Sequence, residues 1–341
     1  NTTATVAGSV VVEISANGQD YTANGVTYEA FAVTIAAVTP WIGPTAGGTL
    51  VVISGVQLTI TGMVQCIFAG FGSRNPRISE SMLSASAHGH SSVRCASPAG
   101  LGTGWVRVQL LSHGTPLRSA SSFYLHESTF VSAAVPHIGP VAGGTRVLLS
   151  GTGFPPIGYL QCRFGASGGS VAARRVGDRQ LECESPPSPG VGSRQVEVSA
   201  NGQQFSSSSR TFTYVAAVSI SSVWPSRGVA EGGMPVTVLG RGFSSASASD
   251  EGARCRFGQR DVPAYLVSDS ALICNSTVLP PRPVAIEVTT NGQDFTTNAM
   301  RFEVVKTLVD GVTPWLGPVM GGTVVTISGA HLITGSVQCR F

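Results

Sequence analysis

The sequence predicts an all-β chain, a row of β-sandwiches of about seven strands each. Three observations predict it. A unit of about 90 residues repeats along the 341-residue chain, short alternating apolar/polar runs recur at one place in every unit, and Gly- and Pro-bearing turns separate them with no amphipathic helix between.

The repeat shows first as a Pro-x-x-G element followed by a double glycine. It reads VTPWIGPTAGGTLVVISG from Val38, AVPHIGPVAGGTRVLLSG from Ala134, VWPSRGVAEGGMPVTVLG from Val223 and VTPWLGPVMGGTVVTISG from Val312. The prolines Pro40, Pro136, Pro225 and Pro314 are 96, 89 and 89 residues apart. A β-prone run follows each double glycine, then a cysteine-bearing strand (VQCIF, LQCRF, ARCRF, VQCRF), then in the three complete units a second cysteine near Ser or Pro (VRCASP, LECESPP, LICNST). The unit closes on an alternating strand. In these strands Val12 and Ile14, Val108 and Leu110, Val196 and Val198, and Ile286 and Val288 are expected to point inward, with Glu13, Gln109, Glu197 and Glu287 facing solvent. An Asn-Gly turn comes next, at Asn17-Gly18, Asn201-Gly202 and Asn291-Gly292, with Ser112-His113-Gly114 standing in its place in the second copy. Asn-Gly between two such runs predicts a hairpin whose two turn residues tolerate positive φ.

The register divides the chain into residues 1–36, the closing half of a unit; complete units at 37–131, 132–217 and 218–307; and 308–341, an opening half. Segment 1–58 also aligns without a gap to 275–332, with roughly two in five residues identical, which suggests duplication of a three-unit block. Only about a dozen residues separate Phe212 from Pro225, and Phe302 from Pro314, and much of each stretch is itself strand-like. With so little linker, an extended, stiff rod is expected.

These motifs resemble the IPT/TIG family, the immunoglobulin-like domains found in plexins, some transcription factors and many cell-surface proteins. The resemblance covers essentially the whole chain and rests on P-x-x-G-x-x-x-GG-T-x-[VL]-x-[IL]-x-G and [VI]-x-x-NGQ-x-[FY]. It implies tandem immunoglobulin-like β-sandwiches, usually in a binding or structural role. The third unit departs from the pattern at Ser226-Arg227-Gly228-Val229, and Met234 replaces Thr, so its loop shape is expected to change while the fold survives.

Seven cysteines fit this register. Cys66 with Cys95, Cys162 with Cys183, and Cys255 with Cys274 form one pair per complete unit, and Cys339 opens a fourth pair whose partner lies outside the chain. Disulfides in an oxidising compartment follow, buried free thiols being the alternative. Sequons at Asn1 and Asn275 occupy equivalent places in the three-unit register and are candidate glycosylation sites. The serines at Ser206–Ser209, Ser244–Ser249 and from Ser185 are candidates for O-linked sugars or plain loops.

No catalytic, metal or cofactor site emerges. Gly165 to Gly169 reads G-x-S-x-G but follows a strand with no helix behind it. His88 to His90 lies in an inserted loop between two cysteines, and Asp20 and Asp294, which lack the clustered acids that calcium needs, are expected to be turn-flanking surface residues. Trp41 and Trp315 follow the unit-start proline, suited either to the core or to the junction with the preceding domain. A net charge of +3, with only 11% charged residues and no basic cluster, argues against nucleic acid. No apolar run approaches a membrane span. The expected role is a non-enzymatic, extracellular or cell-surface structural segment, forming a stiff fibre or coat, with copies of itself and attached glycans as partners. The alternative is a ligand-binding or adhesive ectodomain of a plexin- or fibrocystin-like receptor, with Gly70–His90 as the divergent loop. A DNA-binding reading is disfavoured by the cysteines and the missing basic patch.

Overall fold

The computed structural model describes residues 7–30, 32–56, 64–70, 77–79, 92–112, 115–166, 169–207, 210–243, 252–332 and 339–340. Every regular element among them is a strand.

The middle domain shows how the repeat folds. Phe130–Val135, Arg146–Thr152 and Gln180–Glu184 pair in antiparallel fashion in one layer. Gln161–Phe164, Gly192–Ser199 and Thr211–Val215 form the other, again antiparallel. The long strand Ser170–Gly177 joins the layers, its first half pairing with Gln161–Arg163 and its second with Leu181–Cys183. Eight strands are present where about seven are expected, because the opening strand is broken in two. After Pro136 the chain crosses over, and Ile138–Pro140 runs parallel to Thr213–Val215 in the opposite layer. The third domain repeats the same eight-strand order. In the first, a three-stranded sheet (Thr34–Thr39, Leu50–Val56, Ser92–Ala96) faces a five-stranded one.

The alternation sets the layers. Val108, Leu110, Val196, Val198, Ile286 and Val288 are fully buried in the three cores, as the period of two requires. Edge-to-face aromatic pairs fill the middle of each: Phe68–Phe123, Phe164–Phe212 and Phe257–Phe302, with centroids 5.6, 5.4 and 5.5 Å apart. Val12 and Ile14 depart from expectation. They are 45% and 71% exposed, because the hairpin Gly8–Val11 with Thr27–Ala30 has no facing sheet among the described residues.

The double glycine has a steric cause. Gly143 and Gly144 have φ of 76° and 89°, and a Cβ on Gly143 would fall 2.6 Å from the Ser185 carbonyl oxygen. The third domain keeps this turn, with φ of 74° and 78° at Gly232 and Gly233, and Arg227–Val229 pairs parallel to Glu303–Val305. The loop shape therefore survives Ser226, Arg227 and Met234, contrary to expectation, because the glycines and the parallel pairing define it. The strand pair that opens each unit also recurs in one register. Thr34 faces Val56, Phe130 faces Thr152, Ser219 faces Arg241 and Leu308 faces Ala330, each with a bulge at the same place.

The serine beside the second cysteine has a structural role. Ser97, Ser185 and Ser276 stand two residues after the second cysteine, and each Oγ accepts the backbone N–H that follows the double glycine, from Thr49, Thr145 and Met234, at 3.1 Å. All three are buried, so Ser185 is unavailable for a sugar. Ser206 is likewise buried, with its Oγ accepting the Val198 N–H.

The cysteines meet across the layers. Cys66–Cys95, Cys162–Cys183 and Cys255–Cys274 are bonded, with Cα atoms 6.4, 6.3 and 6.3 Å apart, while Cys339 is exposed and unbridged. Native alkylation followed by mass analysis is expected to label one cysteine per chain, Cys339. Replacing Cys162 and Cys183 together by Ala is expected to lower that domain's unfolding free energy by about 3 kcal/mol, read from denaturant titration. Labelling of all seven would mean that the pairs are free thiols.

Candidate functional site: the seam between consecutive domains

The Asn-Gly-Gln turn is built the same way wherever it occurs. Asn201 Oδ1 accepts the N–H groups of Gln203 and Gln204 at 3.0 and 3.1 Å, and the Gly202 N–H donates to Ser199 Oγ at 2.9 Å. Asn17 and Asn291 do the same for the residues two and three further on. Gly18, Gly202 and Gly292 carry φ of 77°, 75° and 76°, whereas the three asparagines stay at negative φ. The turn is therefore an Asx turn and not the tight two-residue hairpin expected. The paired strands end at Ser199 and resume at Thr211, leaving a loop between.

That loop is held from beneath. Arg163 donates from Nε and Nη2 to Glu197 Oε2 at 3.0 and 2.8 Å, and its guanidinium lies 3.8 Å from the centre of the Phe205 ring. In the third domain Arg256 sits 3.5 Å over Phe295 and pairs with Asp261. The arginine after the cysteine and the aromatic after Asn-Gly-Gln are thus one fixture.

Held in this way, the turn reaches back into the preceding domain. Gln203 Nε2 donates to the Leu50 carbonyl at 2.9 Å, and its Oε1 accepts the Leu50 N–H at 2.8 Å. The carboxamide replaces a strand neighbour for one residue of the first domain. Gln204 accepts from Thr49 Oγ1 at 3.0 Å and donates to the Gly48 carbonyl at 3.1 Å, while Asn201 Nδ2 donates to the Ile42 carbonyl at 3.2 Å. The next seam repeats the arrangement. Gln293 pairs with both backbone groups of Arg146, Asn291 Nδ2 donates to the Ile138 carbonyl at 3.1 Å, and Thr145 Oγ1 donates to Asp294 Oδ2 at 2.6 Å. Asp294, expected at the surface, is a charge-assisted acceptor inside the seam.

The two seams differ in apolar content. Ile42 belongs to the first domain's chain but is buried in the core of the second. Trp41 and Tyr124 pack on that same core, with Trp41 stacked on Trp105 at 5.8 Å and Trp105 edge-on to Tyr124 at 5.3 Å. Trp41 therefore faces the following domain, because Ile42–Pro44 lies beside the last strand, at the domain's far end. The second seam has no such stack, and a cleft of about 250 Å³ opens there between Pro140, Val215–Val218 and Thr290–Thr297.

The same end of the third domain lacks both parts. Arg227, ion-paired to Glu303 at 2.9 Å, takes the place of Ile42 and Ile138, and Met234 the place of Thr49 and Thr145. The turn of the first domain, Ser112 to Pro116, has neither Asn nor Gln.

The remaining candidates place simply. Asn275 is exposed at the end of Ala271–Asn275. Asn1, His88–His90 and Ser167 lie outside the described residues, as does most of the Gly70–His90 insertion. Trp315 is exposed. No group of three or more His, Cys, Asp or Glu side chains placed to hold a metal ion occurs among the described residues.

A family model for the IPT/TIG domain matches residues 33–125, 129–214 and 218–304. The chain is 32% identical to human Fibrocystin-L over 139 residues, covering 40% of this chain and 3% of that protein. It is 26% identical to human Plexin-A3 over 214 residues, covering 58% and 11%, and 25% identical to Plexin-2 of Caenorhabditis elegans over 272 residues, covering 78% and 14%. It thus spans a small part of each relative's length. Among solved structures, the Plexin A4 full extracellular region aligns with 92% of this chain and 28% of that one, at 17% identity and a TM-score of 0.43.

Two outcomes follow from the seam. Replacing Gln203 by Ala removes two neutral hydrogen bonds and should weaken docking of the first two domains by about 1–3 kcal/mol. Faster proteolysis near Glu127–Thr129, with both domains still folded, checks this. His126, buried at the end of the strand Thr115–His126 that leads into that linker, with Nε2 unpartnered among the described residues, has its pKa pushed below the usual value by burial. The folded form binds its proton less readily than the unfolded one, so stability is full above about pH 6.5 and declines as pH falls below it. His126→Gln is expected to flatten that decline in thermal melts between pH 7.5 and 5.

Proposed function

The chain belongs to the IPT/TIG domain family, and from that premise we propose that it is a non-enzymatic structural segment, a stiff row of clasped sandwiches within a longer fibre or surface coat. Its location is extracellular or at the cell surface, as the plexin and fibrocystin-L relatives and the disulfide-bonded sandwiches indicate. The observation that carries the structural reading is the Gln203–Leu50 pairing and its repeat at Gln293–Arg146. Domains joined only by a linker rotate freely, whereas a side chain bonded to both backbone groups of a neighbour fixes distance and twist together. Low charge supports lateral packing, since 21 basic against 18 acidic residues leave little repulsion between copies.

A second reading is favoured by the relatives: a ligand-binding ectodomain in which the clasped row holds a recognition domain at a set height. Both readings require stiffness, and they part on self-association.

Small-angle scattering of the 341-residue chain tests stiffness. The expected profile is that of one extended particle, and Asn201→Ala with Asn291→Ala should shorten the mean long dimension and broaden its distribution. A freely jointed profile in the parent chain, unchanged by the substitutions, would overturn the proposal. Concentration-dependent association in sedimentation favours the fibre over the receptor.

A further inference from the structure

The third domain has one surface unlike its counterparts. Trp224, Thr237, Ile273 and Tyr265 face one another in register across four strands, on the outside of the sheet. Trp224 and Tyr265 are 74% and 62% exposed, and Leu239 and Val267 flank the row, also exposed. The same four places in the second domain hold Val135, Leu148, Glu182 and Arg174, where Arg174 and Glu182 form an ion pair at 3.1 Å. In the first domain Thr39, Val52 and Arg94 stand there. In those two domains the row ends in charged residues and holds no aromatic, whereas in the third it is apolar and aromatic at both ends, the kind of exposed face that other groups cover.

The sequon supplies one. Asn275 lies on the strand of Ile273, two residues on, exposed and on the same face. Side chains two apart on a strand are about 7 Å apart, and neighbouring strands about 4.8 Å. The row from Trp224 to Tyr265 spans three such gaps, and the first few rings of a branched oligosaccharide cover that width. At the matching place the second domain has Glu184 and the first Ala96, and neither lies in a sequon. The one complete domain with the acceptor asparagine is thus the one with the aromatic row.

We propose that Asn275 carries an N-linked glycan whose first sugars lie along this row and form its cover. The C–H faces of N-acetylglucosamine are apolar and stack on the Trp224 and Tyr265 rings, and the acetamide methyl rests on Ile273. The hydroxyls stay in water, so an apolar sheet face becomes a hydrated one.

The test is a double-mutant cycle on the full chain secreted from a eukaryotic host. Intact mass before and after glycosidase reports occupancy of Asn275, with Asn275→Gln as the unmodified form. The glycan is expected to raise the melting temperature of the third domain by about 4 °C in the parent chain, and by nothing measurable in a Trp224→Ser, Tyr265→Ser background. Both aromatics are exposed, so this variant folds, and retention of three disulfides checks that it has. An unmodified Asn275 overturns the proposal, as does an equal shift in both backgrounds. It is overturned too if the glycosylated parent dimerises in sedimentation and Trp224→Ser abolishes the dimer, since the cover is then a second copy of the chain.

Discussion

The contact that recurs at both seams, and around which the other contacts gather, is a carboxamide set against the backbone of the preceding domain. Gln203 meets both hydrogen-bonding groups of Leu50, and Gln293 those of Arg146, as a β-strand neighbour would. A strand partner can slip by two residues and still pair, whereas a single carboxamide that gives one N–H and its oxygen to the two backbone groups of one residue is held at that residue. The rest of the turn serves to aim it. Asn201 closes the Asx ring, Gly202 supplies the positive φ, and Arg163 clamps Phe205 from below. The acceptor side is equally prepared, since the serine two residues after the cysteine takes the backbone N–H of the threonine and leaves its hydroxyl for the neighbour.

The two seams solve the same problem with different chemistry. The first adds an apolar plug, Ile42, and a ladder of three aromatics, so water is excluded on one side of the clasp. The second replaces the glutamine acceptor with Asp294, whose charge shortens the threonine bond to 2.6 Å, and leaves a cleft alongside. Hydrogen bonds between neutral groups contribute about 1 kcal/mol each, and a charged acceptor about 1.5–3. The first seam thus combines apolar burial with neutral hydrogen bonds, and the second relies on a charged acceptor. Arg227 and Met234 show what the surface looks like when neither route is kept.

The fold was legible because its determinants are local. A period of two assigns Val196 and Val198 to the core without knowledge of their partners, and a double glycine announces a turn that nothing else tolerates. The seam was half legible. Asn-Gly-Gln stood out as a repeat, but the residues it binds are about 150 positions earlier, and the groups contacted on Leu50 and Arg146 are backbone, which has no spelling. Asp294 read as a surface aspartate for that reason. The serine of Ser97, Ser185 and Ser276 stood out as Cys-x-Ser in all three complete units, but its role was not legible, because the N–H that it accepts belongs to a backbone position about 40 to 48 residues earlier. Trp41 was suited either to the core or to the junction with the preceding domain, and it packs instead on the core of the following one, since nothing local says that the chain crosses to the other layer right after Pro40.

The direction of the clasp has a consequence for synthesis. Each donor turn lies near the end of its domain and its acceptor near the start of the previous one, 153 residues earlier for Gln203 and Leu50. A domain leaving the ribosome therefore completes its own sandwich and then waits, with Gly48 to Leu50 wet, until almost all of the next domain has emerged. Formation of these bonds therefore proceeds from the N-terminal end, one joint behind translation.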